Sequence, residues 1–260
     1  MSTALAILAH ALRMLLFDTS ATLRVLMPAM LLVLGCGLAI AVLAPETLAA
    51  LQAPDTDTIM PSPSGMALFL AIGLIGLLGY ALMAVLWHRH VLLNGAERIE
   101  ALRPDLSVYL GYIWRAIVVG LVQFLAAIPL TLVIALLGGA FVASGPNPFP
   151  VTLLGVAGSI VFLWIALRFS VVLPAAAIGH RMPVLESWQV TRGSAAELWG
   201  VAALLTGINT LIYVAALVLP DSGAFAVVAH TAIFIVEGLI FISVLTTLYG
   251  HLVEGRSLGQ

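Results

Sequence analysis

The chain has 260 residues, 62% hydrophobic and 8% charged, with a mean hydropathy of +1.17 and a formal net charge of −2. Soluble globular domains carry about 25% charged residues, so a soluble domain is excluded and a polytopic membrane protein is expected. All ten basic residues are Arg and they are scattered, which excludes the clustered surface that nucleic acid requires; the single cysteine, Cys36, excludes an intrachain disulfide and cysteine-built zinc or iron–sulfur sites.

Residues 3 to 17 are apolar but interrupted by His10 and Arg13, with no basic segment before them and no small-residue cleavage site after them, so a removable signal is not expected. Thr3, His10, Arg13, Ser20 and Arg24 form a narrow polar stripe at helical spacing, the pattern of a helix lying in the membrane interface. A crossing takes about 20 apolar residues, and six such spans follow within one integral membrane domain: 21 to 44, 65 to 88, 108 to 143, 149 to 178, 195 to 219 and 223 to 252. The third is too long for one perpendicular crossing and too short for two, so it reads as one tilted helix bent at Pro129. Residues 95 to 104 and 182 to 192 each read as a short amphipathic helix. In the second of these Val184, Leu185 and Trp188 share a face, with Glu186, Gln189 and Arg192 away from it. Ser194-Ala195-Ala196-Glu197 has the form of a capping box that starts the fifth span.

The arginines all fall on one side of this six-span plan, at 13, 24, 89, 98, 103, 115, 168, 181, 192 and 256. The opposite connections hold Glu46, Asp55, Asp57 and Asp221 and no Arg. By the positive-inside rule both termini are expected in the cytoplasm. Ser20, Ser107 and Ser194 recur every 87 residues at the starts of odd spans. Two explanations stand side by side: three parallel repeats about an axis normal to the membrane, or coincidence.

An ionisable residue inside a span costs at least about 2.5 to 3.5 kcal/mol, so each is a candidate for function. Glu237 falls near the midplane of span six with His230 seven residues earlier on the same face, and Arg115 and Arg168 lie in the Arg-bearing halves of spans three and four. These four form a candidate intramembrane polar cluster, either an ion-paired lock or part of a transport path. The spans contain no Asp and no nucleophile motif, so neither an enzyme nor a cofactor or metal centre is expected. In Leu86-Trp87-His88-Arg89-His90 the two histidines are two residues apart and point roughly 200° from each other on a helix, so they do not converge on one metal. Trp87 is expected at the headgroup level, with His88, Arg89, Arg181 and Arg192 as candidate headgroup contacts.

Residues 87 to 95, WHRHVLLNG, resemble a Trp-His-Arg-x-Val-Leu-Leu-Gly motif of uncharacterised alphaproteobacterial inner-membrane proteins. Residues 168 to 193 resemble a pattern in the superfamily that includes the membrane domain of glycerophosphodiester phosphodiesterases. Arg168, Pro174, Glu186, Ser187, Trp188, Thr191 and Gly193 carry that second match, with Glu186 replacing a usually small residue. The phosphodiesterase chemistry of those relatives lies in a separate soluble domain. The resemblance therefore implies a helical module of a bacterial inner membrane rather than an enzyme. The expected role is contact with membrane lipids or a partner membrane protein; the rival is a small transporter or lipid translocator using Glu237 with Arg115 or Arg168.

Overall fold

The computed structural model describes residues 3–52, 61–93, 103–145, 147–220 and 223–258. Arg98, Asp55, Asp57, Asp221 and most of the expected second interfacial segment lie outside the described residues. Ten helices are seen among those described, and no strand. They are α1 (Thr3–Phe17), α2 (Thr19–Leu43), α3 (Pro45–Gln52), α4 (Pro63–Leu92), α5 (Leu106–Ser144), α6 (Phe149–Ser170), α7 (Val172–Ala177), α8 (Val184–Val190), α9 (Ala195–Ala216) and α10 (Ala224–Leu252). The fold is all-α, and α2, α4, α5, α6 with α7, α9 and α10 supply six stretches long and apolar enough to cross a membrane.

Local chemistry sets most helix ends. Asp18 caps α2, its Oδ1 accepting from the Ala21 N–H at 2.9 Å, and the Ser62 hydroxyl caps α4 by accepting from the Gly65 N–H at 3.0 Å, with Pro63 in the first turn. Pro174 has no N–H for the carbonyl of Ser170 four residues back, and the fourth span is broken into α6 and α7 there. After α7 the chain turns through Gly179 at φ +83°. The Gly179 N–H donates to Ala176 O at 3.0 Å and the His180 N–H to Ala175 O at 2.9 Å, closing the helix in a Schellman motif.

Some expectations are corrected. Ser194 makes no side-chain capping bond, and one carboxylate oxygen of Glu197 is buried without a hydrogen bond, so the capping box is not formed. The reason is backbone: residues 191–194 continue as hydrogen-bonded turns, and Ser194 sits at φ −108°, ψ 19° rather than in the extended conformation that aims a hydroxyl at the first turn. In α8 the fully buried position is Ser187, joined by Thr191 just past its end, while Leu185 is 67% exposed, so the inward face is rotated from the one expected. The short helix α3 is new, with Pro45 at its start and Glu46 in its first turn. The three evenly spaced serines do not play one role, since Ser20 donates to Asp18 Oδ1 whereas Ser194 caps nothing.

Helix α10 is the centre of the bundle. It packs on α1, α2, α4, α7 and α9, and residues 242–250 are buried without interruption, so this stretch is enclosed on every face. Around it lie two apolar clusters, one built mainly from α1, α6, α7 and α9, the other mainly from α2 and α4; α7 and α10 contribute to both. The buried face of α1 is Ala4, Ile7, Leu8 and Ala11, which packs into the first cluster with α9 and α10. Helix α5 is the outlier: its 39 residues extend about 58 Å at 1.5 Å per residue, and its Leu, Ile, Val and Phe side chains are largely exposed along its length. Between α10 and α4, Gly238 leaves room for the ring and hydroxyl of Tyr80. A methyl at Gly238 would collide with that stiff ring, whereas one at Gly207 on α9 meets nothing within 4 Å. Gly238→Ala is therefore expected to destabilise the detergent-solubilised protein by about 1–3 kcal/mol, with Gly207→Ala unchanged or slightly stabilised. Thermal unfolding of the two variants in parallel checks the pair, and equal melting temperatures would remove the proposed contact.

Candidate functional site

Three members of the expected polar cluster, Arg115, Arg168 and His230, bond to groups outside it. Arg115 donates through Nε to Met182 O at 3.2 Å, Arg168 binds α8, and His230 Nδ1 meets the Ala226 carbonyl one turn back on its own helix at 2.8 Å. Among the described residues no ion pair joins Glu237 to either Arg; the carboxylate–guanidinium pair present is Glu254 with Arg256 at 2.6 Å. The cluster is thus corrected to a set of separate contacts. Its physical reason is supply: carbonyls of the connection before α8 and of α8 itself lie within reach of these guanidinium groups and take their donors.

Arg168 is the most heavily engaged side chain, 4% exposed. Its Nη2 donates to Trp188 O at 2.7 Å and its Nε to Thr191 Oγ1 at 3.2 Å. Ser187 returns a bond from its hydroxyl to Arg168 O at 2.7 Å, and Thr191 donates to Ser187 O at 2.8 Å. The guanidinium lies 3.5 Å from the Trp188 ring centre and 5.2 Å from that of Trp164. Trp164 stacks on Trp199 at 4.8 Å, donates through Nε1 to Ala195 O at 3.0 Å, and meets Trp188 edge-on, while Phe169 stacks on the other ring at 4.9 Å. Together these contacts clasp α6, α8 and the start of α9.

The other arginines divide by destination. Arg89 Nη1 donates to Ala177 O, the last residue of α7, at 3.1 Å. Arg256 donates to Val91 O at 3.3 Å and Leu92 O at 2.6 Å, the last two residues of α4. Such terminal carbonyls have no helical partner and carry the negative end of the helix dipole. Arg13, Arg24, Arg103, Arg181 and Arg192 are exposed instead. Arg181 and Arg192 thus remain open to a headgroup, whereas Arg89 turns inward.

His88 is corrected outright. It is 0% exposed, as Trp87 is 1% exposed, because α4 buries both against its neighbours, so His88 is not available to a headgroup. His88 Nδ1 lies 2.8 Å from Thr246 Oγ1, whose own proton goes to Ile242 O at 2.7 Å. With that proton committed, Nδ1 must be the protonated ring nitrogen and the donor to Thr246. Nε2 then carries a lone pair, and no protein group among the described residues meets it.

Beside this buried pair, α1, the start of α2 and the end of α4 enclose an open groove of about 370 Å³. His10, Arg13 and Asp18 bring polar groups to it, while Met14, Phe17 and Trp87 are among its apolar lining. His90, also in the wall, has its ring 6.0 Å from that of Trp87. A much smaller cavity of about 50 Å³ lies behind it, shared by His10, Thr246, Thr247, His251 and Arg256. Neither reaches Glu237, Arg115 or Arg168. Burial, with Arg13 adding to it, pushes the His10 imidazole below its ordinary value of 6.5, against a hydrogen bond to the Leu258 backbone that raises it; His251 lowers it further. Asp18, fully exposed, is held below the usual carboxylate range by the Ala21 N–H and the Ser20 hydroxyl it accepts from. No family model matches the chain, and neither a curated protein nor a solved structure does.

Arg168→Gln is expected to cost about 2–3 kcal/mol through loss of charge-assisted bonds and the stacked guanidinium. Arg168→Lys is expected to fall with it, because one ammonium cannot serve the Nε and Nη2 positions in one plane. Unfolding followed by tryptophan fluorescence reads both, and a fully stable Lys variant would contradict the clasp. For His10 the folded state disfavours the proton, so stability is fully present above about pH 6.5 and declines as pH falls through the lowered folded value. Melting temperature is therefore expected to drop on acidification in the native chain and to drop less in His10→Gln; parallel pH profiles would count against this assignment.

Proposed function

We propose that the chain is a non-enzymatic membrane module whose Arg-bearing end contacts lipid headgroups, with a partner membrane protein as the other occupant of that surface. We place it in a bacterial inner membrane with both termini in the cytoplasm, on the strength of the Arg asymmetry and the positive-inside rule. The observation that supports it best is the division among the arginines. Four of them satisfy backbone carbonyls or, for Arg168, a carbonyl and a hydroxyl, whereas Arg13, Arg24, Arg103, Arg181 and Arg192 stay exposed beside an extensive apolar surface. An exposed Arg near an anionic leaflet contributes about 1 kcal/mol of attraction, so five such groups bias one end of the bundle strongly toward acidic headgroups.

Native mass spectrometry of the purified protein, reading lipids and proteins together, tests this directly. Retained anionic phospholipid, reduced in the Arg181→Gln/Arg192→Gln double variant, is the expected result; a preparation holding neither lipid nor protein would refute it. Orientation is tested separately with a single reactive cysteine at position 192, since the native Cys36 is buried. An impermeant maleimide is expected to label it only after cells are opened.

A further inference from the structure

We propose that the groove between α1, the start of α2 and the end of α4 is a binding site for one phospholipid, held by the phosphate of an anionic headgroup. This rests on the reading of the chain as a lipid-contacting module and gives that contact a specific place, different from the surface arginines 181 and 192.

Three observations carry it. The first is size and shape: about 370 Å³ lies within the roughly 300 to 1,000 Å³ of small-ligand sites, and the groove is open along one side. The second is an enclosed donor. Trp87 forms part of the wall and is 1% exposed, yet its indole Nε1 meets no acceptor among the described residues, and a buried N–H without a partner is costly. An indole N–H only donates, so an oxygen of a seated phosphate could accept from it once the Trp87 side chain turns toward the groove.

The third is charge and its apolar setting. Arg13 supplies an exposed guanidinium on the rim, the group best shaped for a phosphate. His10 adds an imidazole beside it. Asp18 is the opposing charge in the wall; its carboxylate caps the first turn of α2, accepts from the Ser20 hydroxyl and lies near Arg24, while Arg13 is the cation that a phosphate would meet. Directly beside these groups, Leu16 and Phe17 at the end of α1 are 70% and 92% exposed, and Leu23 and Met27 on α2 are exposed as well. A free phosphate has no use for such surface. The acyl chains of a phospholipid seated by its headgroup in the groove would cover it.

The test is reconstitution into vesicles of phosphatidylcholine with and without phosphatidylglycerol, the latter carrying a photoactivatable diazirine in its headgroup. Labelled peptides mapped by mass spectrometry are expected to fall within residues 10–22 and 87–91. Phosphatidylglycerol retention on solubilisation is expected to drop about tenfold in Arg13→Gln, the equivalent of one lost charge-assisted contact, and to be unchanged in Gly207→Ala. Label confined to other segments, or an Arg13→Gln variant that keeps its phosphatidylglycerol, would overturn the groove while leaving a general lipid contact standing. Wild-type protein that takes no label and retains no phospholipid would refute the broader reading with it. The mapping needs only native protein, so a poorly folding variant does not blunt the result.

Discussion

Guanidinium groups closing the open ends of helices are the interaction on which this bundle depends. Each helix that finishes at the Arg-bearing end leaves carbonyls with no helical partner, and in an apolar setting those groups cannot be abandoned. Arg256 takes those of α4, Arg89 that of α7, and Arg168 one in α8, each reaching across from another part of the chain. The same bonds that satisfy the backbone therefore also fix the mutual positions of helices. Van der Waals packing and small residues such as Gly238 set how closely the helices lie, and the arginines set where their ends stop.

This gives the motif around Arg168 a physical meaning. Trp188 and Thr191 are spaced so that a carbonyl with an aromatic face and a hydroxyl meet one guanidinium, while the Ser187 hydroxyl donates to the backbone carbonyl of Arg168 itself. Pro174 contributes differently, by breaking the fourth span so that α7 can close separately over the core. The spacing of these residues is thus accounted for by the contacts they make in the fold. The groups available to an outside molecule lie elsewhere, on the exposed arginines and in the groove at α1.

The spans were legible because the requirement for about 20 uniformly apolar residues is one-dimensional; their ends fall within three residues of expectation, except that α4 runs four residues further, to Leu92. Destinations of polar side chains were not legible in this way. Arg89 and Arg181 both lie just past the apolar stretch of a span, yet one reaches a carbonyl of α7 88 residues away and the other is exposed. His88 likewise depends on Thr246 across the bundle. Ser187 and Thr191 did offer a local signal, two hydroxyls one turn apart on the face that turned out to be buried, but the apolar Leu185 outweighed them in a reading based on hydrophobicity. The Pro-Glu at 45–46 was a readable start for α3.

The bond from Arg256 to the end of α4 also bears on the order in which the bundle can assemble. Leu92 O receives its donor from a residue 164 positions later, and chains are made at about 5–20 residues per second, so roughly 8 to 33 seconds separate the two partners during synthesis. Through that interval α4 is present with its terminal carbonyls unanswered by Arg256, while α10, the helix around which everything packs, has still to arrive. The nascent protein thus passes through a long-lived, incompletely closed stage in which water, lipid or the insertion machinery must cover what the last helix and its following arginine finally seal.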